Sequence, residues 1–259
     1  MNVEKIAKVK PAGITCLFVL LLLAVMANPL HCQVSHSHDI VLGNLQIKDG
    51  DNNLGMVFSG FQLEYRFGIQ WKMNGHEIRY RPKLGAGIIM NRGMLSAQVP
   101  VAPIHVTWTM PVFEQNGHTV RAGTNLMSDY NYTLYTEMHD GPLFWTAEAG
   151  LSPVICYGYQ WNNKRINIGW QNSLLGFTSH RQGYDPYRFL FTWKDFVVNP
   201  HKEMKFGSFD RYNHTTVSVT YVPNISNKHA FIYEFDYFGL FNGHKYARIN
   251  HNLIWRITL

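Results

Sequence analysis

Apolar and polar residues alternate with a period of two along most of the chain beyond residue 39. The stretch HEIRYRPKLGAGII at residues 76–89 places charged residues and glycines on one parity and mainly apolar residues on the other. Because successive side chains of a strand point to opposite faces, such a segment has one polar wall and one apolar wall. The 3.6-residue period of helices is nearly absent. The pattern therefore predicts an all-β protein.

Ten such segments are separated by turn-forming residues, which predicts ten antiparallel strands. The segments are residues 39–48, 54–72, 77–90, 96–112, 119–134, 143–161, 165–178, 213–223, 229–240 and 246–258. Tight turns rich in Asn and Gly alternate with mostly longer connections, of which the longest spans about residues 180–212. A further hairpin within that connection, formed by RFLFTWKDF and EMKFGSF, would raise the count to twelve.

The composition of the two walls indicates which face of the sheet lies inside the protein and which lies outside. The polar walls carry acids and bases together, as expected where buried charges need partners. The apolar walls place aromatic residues near both strand ends with aliphatic residues between them, which is typical of the two interfacial girdles of a membrane barrel. Several predicted strands are also much longer than the roughly 5–6 residues usual in soluble sheets. The charged residues expected to face the lumen are Glu64, Arg66, Arg79, Arg81, Arg121, Glu148, Glu234, Asp236, Arg248 and Arg256.

These features predict an antiparallel up-and-down transmembrane β-barrel whose apolar wall faces lipid. The lumen of a barrel of about ten strands is largely filled by side chains. Its charged lining is then either a structural network or the wall of a narrow ion conduit. A soluble exported sandwich is the alternative, and it would stay in solution without detergent.

The N-terminal segment predicts export. Three lysines precede about fifteen apolar residues, fewer than the roughly 20 of a membrane-spanning helix. We therefore expect a signal peptide at residues 1–32 and a barrel domain at residues 33–259. A lipoprotein cut before Cys32 and an uncleaved anchor helix are the alternatives.

Composition excludes several other classes. The formal charge of +6 falls to +4 without the predicted signal, and no Lys/Arg-rich block follows, so nucleic acid is not an expected partner. Cys156 would then be the remaining cysteine, which excludes a disulfide-stapled domain. No pattern indicates a cofactor. His36 and His38 before Asp39 resemble a short metal-binding tract, but a flexible tail is the preferred interpretation, so no metal site is expected.

Taken together, the signal segment, the ten amphipathic strands and the tight turns on one rim resemble small bacterial outer-membrane β-barrel proteins. The resemblance covers residues 39–259, although Leu259 stands where many such proteins end in an aromatic residue. It implies a bacterial outer-membrane location, contact with outer-membrane lipid, and both termini on the periplasmic side with the short turns.

Some outer-membrane barrels are enzymes with catalytic groups at the outer rim, and residues of suitable types occur at the outer ends of the predicted strands. His180, Gly183, Asp185 and Pro186 are similar to a motif of outer-membrane phospholipases, with Gln182 in place of the nucleophilic Ser. Ser179 is a poor partner for His180, because adjacent strand residues point to opposite faces. Outer-membrane proteases of this strand count instead use rim carboxylates with a His to activate water. The candidates for such a rim site are Asp129, His139, Asp140, Asp210, His214 and Asp236.

The long connection is the candidate for partner binding, since a loop of this length is uncommon without a function. Its aromatic and basic side chains suit a glycan or a lipid headgroup, and they suit a plug of the barrel mouth equally well. The candidate ligand-binding residues are Tyr184, Tyr187, Arg188 and Trp193. The sequence thus favours a structural or surface ligand-binding barrel, with a rim hydrolase acting on lipid or peptide as the rival.

Overall fold

A computed structural model describes residues 32–51, 55–136, 143–181, 197–202, 204–226, 228–241 and 245–259. Contacts between Cα atoms divide the chain into Met1–Gln33 and Val34–Leu259, and the second unit is a closed antiparallel β-barrel. The predicted signal peptide falls almost wholly outside the described residues and stays a prediction. Among the residues that the structure describes, no helix has both the length and the apolar character needed to cross a membrane.

The described elements follow one another as a meander. They are β1 (Gln33–Asp49), β2 (Val57–Met73), β3 (His76–Tyr80), β4 (Lys83–Asn91), β5 (Met94–Gln115), β6 (His118–Tyr135), β7 (Leu143–Trp161), β8 (Lys164–Asn172), β9 (Leu175–His180), α1 (Asn199–Lys202), β10 (Lys205–Ser208), β11 (Tyr212–Val222), β12 (His229–Leu240) and β13 (Tyr246–Thr258).

These thirteen segments build ten wall strands. β3 and β4 form one wall strand interrupted before Lys83, where Pro82 has no N–H to donate. β8 and β9 form another, and β10 and β11 a third, because β10 pairs with β9 while β11 pairs with β8. β13 pairs with β1 over thirteen residue pairs and closes the barrel. The predicted count of ten strands is confirmed.

The part of the proposed extra hairpin that the structure describes does not add strands to the barrel. EMKFGSF contributes β10 to an existing wall strand rather than to an added hairpin, whereas RFLFTWKDF lies outside the described residues.

Tight turns define one end of the barrel, called here the turn end. Asn74 and Asn116 have φ values of 49° and 51°, and each precedes a glycine that also has positive φ. That pairing fits the two-residue hairpin turns that match strand twist. β1 starts and β13 finishes at this end. The opposite end, the loop end, carries the other connections, although the one at Arg92–Gly93 is a two-residue turn and shorter than the sequence suggests.

Over most of the barrel the polar wall faces the lumen and the apolar wall faces outwards, as predicted. On β2, Gln62, Glu64 and Arg66 are buried in the lumen, whereas Phe61 and Leu63 are exposed on the outer wall. The charged residues of the 76–89 stretch likewise point inwards, where Arg81 and Lys83 meet acids from other strands. The outer wall is therefore the apolar one, as a lipid-facing surface requires.

The expected flexible tail around His36 and His38 is wrong. Both histidines belong to β1, and the backbone N–H of His36 donates to the carbonyl of Leu259 at 3.5 Å. Nδ1 of His38 lies 2.5 Å from the hydroxyl of Tyr65 on the neighbouring strand. Barrel closure explains the difference, since the end of β13 needs a hydrogen-bonding partner and the segment before Asp39 supplies it.

The lumen at the loop end is apolar. Large buried side chains from strands all around the barrel pack together there, and we call them the apolar cluster. Its members are Leu45, Ile47, Phe58, Ile89, Tyr135, Phe144, Tyr212, Phe238, Leu240 and Tyr246. They occupy inward-facing positions that continue the polar parity of their strands, so the simple two-wall pattern breaks down at this end.

Candidate functional site

Beneath the apolar cluster, six ionisable side chains from six wall strands form a hydrogen-bonded group, called here the loop-side cluster. Its residues are Lys83, Asp129, Glu148, His214, Asp236 and Arg248. Nδ1 of His214 lies 2.6 Å from Oε2 of Glu148, and its Nε2 lies 2.8 Å from Oδ2 of Asp236. Arg248 donates to Asp129 at 2.9 Å, and Lys83 donates to the same carboxylate at 3.3 Å.

A second group, the turn-side cluster, lies next to the first towards the turn end. It contains Asp39, Glu64, Arg66, Arg81, Glu234 and Arg256. Arg66 donates to Glu64 at 2.8 and 3.0 Å and to Glu234 at 2.9 and 3.1 Å. Arg256 donates two hydrogen bonds to the carboxylate of Asp39, at 2.7 and 2.8 Å.

Each cluster balances its own charge. The turn-side cluster has three carboxylates and three guanidinium groups, and the loop-side cluster has three carboxylates against an arginine, a lysine and an imidazole. Both ring nitrogens of His214 face carboxylate oxygens, and the doubly protonated ring satisfies both contacts as a donor. Buried ions need such partners, because removing a charge from water is expensive. The clusters therefore have the character of a structural network.

A cavity of about 120 Å³ lies inside the lumen alongside these clusters. Arg81, Lys83, His105, Cys156 and Glu234 are among the residues that line it. It has room for several water molecules, which suits a polar lining of this kind.

A different set of side chains meets at the loop-end rim. Asp49 ends β1, Asp51 follows it in the next turn, and His180 ends β9. Nε2 of His180 lies 3.5 Å from Oδ1 of Asp49 and 3.7 Å from Oδ2 of Asp51. Three wall strands separate β9 from β1 around the barrel, so the contact is made across the mouth of the lumen. We call this group the rim triad.

Ser179 points away from the rim triad, as the strand geometry requires. Its hydroxyl donates to the carbonyl of Pro200 at 2.6 Å on the outside of the barrel. His201 of α1 also lies there, with its Nε2 3.3 Å from the hydroxyl of Tyr130. The end of the long connection thus packs on the outer wall. Outward-facing Tyr132 and Trp145 on the same part of the wall are buried.

The candidates from the sequence are placed in different parts of the barrel. His180 lies at the rim, whereas Asp129, Asp236 and His214 lie deeper, inside the loop-side cluster. The reason is that Lys83 and Arg248 project into the same layer of the lumen and pair with these acids. Asp210 lies in the turn before β11, where the backbone N–H of Ser208 donates to it and lowers the pKa of its carboxyl group. His139, Asp140, Asp185, Tyr184, Tyr187, Arg188 and Trp193 lie outside the described residues.

Sequence reasoning missed Asp49 and Asp51 as partners of His180. They stand in KDGDNN, which has the composition of an ordinary turn, and about 130 residues separate them from His180. Their one available signal is position, because β1 ends and β9 ends at the same rim in any up-and-down barrel of ten strands.

Comparison with known proteins agrees with the fold. No family model and no curated protein matches the chain. Among solved structures, the outer membrane protease OmpT from Escherichia coli aligns over 90% of this chain and 98% of its own, with a TM-score of 0.50 and 9% identity. Neisserial surface protein A aligns over 88% and 98%, with a TM-score of 0.37 and 10% identity. The COG4313 outer membrane channel from Pseudomonas putida F1 aligns over 90% and 97%, with a TM-score of 0.37 and 11% identity.

The closed antiparallel barrel and its similarity to OmpT show that the chain has the fold of small bacterial outer-membrane β-barrel proteins. At 9% identity, the similarity to OmpT concerns the fold, and a fold alone assigns no activity.

Proposed function

We propose that this chain is an integral outer-membrane barrel with a closed lumen that acts as a structural or surface-binding protein through its loop end. The observation that carries the proposal is the contact of Arg248 with Asp129 at 2.9 Å, which crosses the lumen between opposite wall strands. The apolar cluster above it adds bulky side chains at the loop end. A lumen occupied in this way leaves the outer loops and outer wall as the surfaces available to partners.

Conductance across a planar lipid bilayer tests the closed lumen. The wild-type barrel is expected to show no stable conductance steps. The double variant Asp129→Ala/Arg248→Ala removes the cross-lumen contact and is expected to leak ions, which shows that the assay would detect an opening. Regular steps from the wild-type barrel, of the size that open porins give, would overturn the closed-lumen proposal.

The orientation proposed for the barrel puts the turn end, and with it both termini, in the periplasm. Short turns on the periplasmic side and longer loops outside are the rule for such barrels. An epitope inserted at Arg92–Gly93 should then be labelled on intact cells, whereas one inserted at Asn162–Asn163 should be labelled only after the outer membrane is permeabilised. The reverse pattern would invert the assignment.

The proposed ligand class is an anionic glycan or lipid headgroup, bound by Tyr184, Tyr187, Arg188 and Trp193 of the long connection. Aromatic rings beside a guanidinium group suit sugars and phosphates. Heparin and lipopolysaccharide are suitable probes for surface plasmon resonance with the detergent-solubilised barrel. Arg188→Ala combined with Trp193→Ala should weaken capture at least tenfold, and Arg165→Ala at the turn end should leave capture unchanged. Equal capture by both variants would remove these residues from the proposal.

The rim hydrolase remains a second candidate because His180 lies beside Asp49 and Asp51. A histidine beside a carboxylate is suited to act as a general base that activates water, and such contacts often shorten only when substrate binds. Release of fluorescent products from labelled peptides and from phospholipid vesicles would measure this activity. His180→Gln should abolish it, whereas His251→Gln on the outer wall should not. A barrel with no activity on either substrate, or with activity that persists in His180→Gln, contradicts this candidate.

A further inference from the structure

The rim triad brings together three side chains of types that bind metal ions. Asp49 and His180 are buried, and Asp51 is partly exposed. One ligand-type atom from each residue can be chosen so that all three lie within 4.8 Å of one another. Two separate parts of the chain supply these atoms, since His180 comes from β9, Asp49 from the end of β1 and Asp51 from the turn that follows β1.

Backbone contacts hold the two carboxylates in place. The N–H of Gly50 donates to the carbonyl of Lys245 at 2.7 Å, and the N–H of Lys245 donates to Oδ2 of Asp51 at 3.1 Å. The N–H of Asp51 in turn donates to Oδ1 of Asp49 at 3.2 Å. The Asp49–Asp51 turn is thus anchored to the start of β13. A metal site benefits from such outer contacts, because they orient the ligating oxygens before an ion arrives.

The histidine is positioned by its neighbours as well. Its ring centroid lies 5.1 Å from that of Tyr246, a member of the apolar cluster. The N–H of the next residue, Arg181, donates to the carbonyl of Trp145 at 3.1 Å, which fixes the end of β9 against β7. These contacts fix the position of the imidazole ring next to both carboxylates.

The separations within the triad suit a shared cation better than direct hydrogen bonds. Nε2 of His180 is 3.5 and 3.7 Å from the two carboxylate oxygens, beyond the usual 2.7–3.2 Å of an N–H···O bond. Two ligands bound to one tetrahedral Zn²⁺ at 2.0–2.2 Å lie about 3.4 Å apart.

We propose that Asp49, Asp51 and His180 form a binding site for a divalent transition-metal ion of the Zn²⁺ type at the loop end of the barrel. The imidazole nitrogen favours Zn²⁺, Ni²⁺ or Co²⁺ over Ca²⁺ and Mg²⁺, which prefer sites made of oxygen alone. Three protein ligands leave a fourth position open to water. A bound ion would join the end of β9 to the end of β1 across three intervening strands. This inference rests on neither the closed lumen nor the hydrolase.

Metal titration of the full-length barrel tests the proposal. The protein, produced without a polyhistidine tag and stripped with chelator, is titrated with Zn²⁺ by isothermal calorimetry and with Co²⁺ by visible absorption. The wild type is expected to bind one equivalent of each metal, and excess Ca²⁺ should not displace it. Zn²⁺ should also raise the temperature at which the folded band converts to the unfolded band on a denaturing gel.

The variants separate the rim triad from other histidines. His180→Gln and Asp51→Asn should each weaken Zn²⁺ binding at least tenfold and remove the Zn²⁺-dependent rise in conversion temperature. His36→Gln/His38→Gln, on the outer wall at the turn end, should leave both readouts unchanged. Asp51→Asn changes a partly exposed turn residue and keeps the test usable if His180→Gln fails to fold. Absence of one-to-one binding by the wild type, or full binding by Asp51→Asn, overturns the proposal.

Discussion

Arg248 and Asp129 form a hydrogen-bonded ion pair of 2.9 Å across the full width of the lumen. They lie 119 positions apart in sequence, on β13 and β6, which are five wall strands apart in either direction around the barrel. The pair therefore ties together opposite sides of a cylinder that is otherwise held by neighbouring strands. Asp129 also accepts from Lys83, and Arg248 also contacts Asp236, so the pair connects the rest of the loop-side cluster.

Neutralising Asp129 should destabilise the barrel strongly. In Asp129→Asn, Arg248 and Lys83 both lose a buried anionic partner, and Arg248 retains Asp236 at 3.4 Å. Breaking a buried ion pair on one side typically costs about 3–5 kcal/mol, because the remaining charge stays desolvated. Urea unfolding of the barrel in lipid vesicles measures the loss.

Two companion variants make that result interpretable. Arg79→Met changes a lumen residue that is about a third exposed and paired with Glu77, so its effect should stay below about 1 kcal/mol. The double variant Asp129→Leu/Arg248→Met should recover part of the stability lost in Asp129→Asn. A loss in Asp129→Asn no larger than that in Arg79→Met would show that the pair is solvated rather than buried.

The strands and turns were predictable from the sequence because both depend on short-range rules. Alternation in FQLEYRFGIQW assigns each β2 side chain to a wall, and Asn-Gly at residues 74–75 and 116–117 marks two turns. The apolar cluster was not predictable in this way. Leu45 and Ile47 face the lumen on the same parity as Asp39 and Asp49, and only closure of the barrel brings them against Phe144 and Tyr212.

The candidate site was predictable in part. The sequence indicates His180 through its place at the outer rim and its similarity to an outer-membrane phospholipase motif, but its carboxylate partners depend on how the strands are staggered around the barrel. The pattern of apolar and polar residues in a single sequence does not give this stagger. The same limitation explains why Asp129 and Asp236 were grouped at the rim: counting along a strand does not show which cations project into the same layer of the lumen.

A charged side chain placed on the outer wall is expected to destabilise the barrel by an amount that depends on its depth in the membrane. Leu42 lies at the middle of β1, faces outwards and is 62% exposed. Arginine at the midplane of a membrane barrel costs about 2–4 kcal/mol, and the cost falls to about 0–1 kcal/mol near the interfaces. Leu42→Arg should therefore reduce stability in lipid vesicles far more than Val34→Arg at the turn end. Equal effects of the two substitutions would place the lipid boundary elsewhere on the strand.

Gly123 on β6 is expected to tolerate no side chain. A Cβ at this position would lie 1.9 Å from the carbonyl oxygen of Trp108 and 2.7 Å from the Cα of Thr109, and both are backbone atoms of the paired strand β5. The strands would have to separate, so Gly123→Ala should lower stability by about 1–3 kcal/mol, the usual range for overpacking.

Gly169→Ala is a matched control on a lumen-facing position. Its new Cβ would meet mainly the hydroxyl of Ser218, at 2.8 Å, and that side chain can rotate away. Denaturant midpoints measured in the same lipid should rank Gly169→Ala between the wild type and Gly123→Ala. The opposite ranking would mean that β5 and β6 approach less closely than described.

The last prediction concerns the seam, the paired strands β1 and β13 that close the barrel. Arg256 on β13 holds Asp39 on β1 at 2.7 and 2.8 Å, and Arg81 lies 3.6 Å from the same carboxylate. In Asp39→Asn two guanidinium groups lose this anion at the junction that closes the barrel. The folded barrel should migrate faster than the boiled chain on a denaturing gel, and Asp39→Asn should convert to the slow form at a lower temperature.

Glu114→Gln, at the exposed end of β5, should convert at the wild-type temperature. A wild-type protein that shows no shift on boiling would contradict the closed barrel itself, whereas an unchanged conversion temperature in Asp39→Asn would show that backbone pairing alone holds the seam.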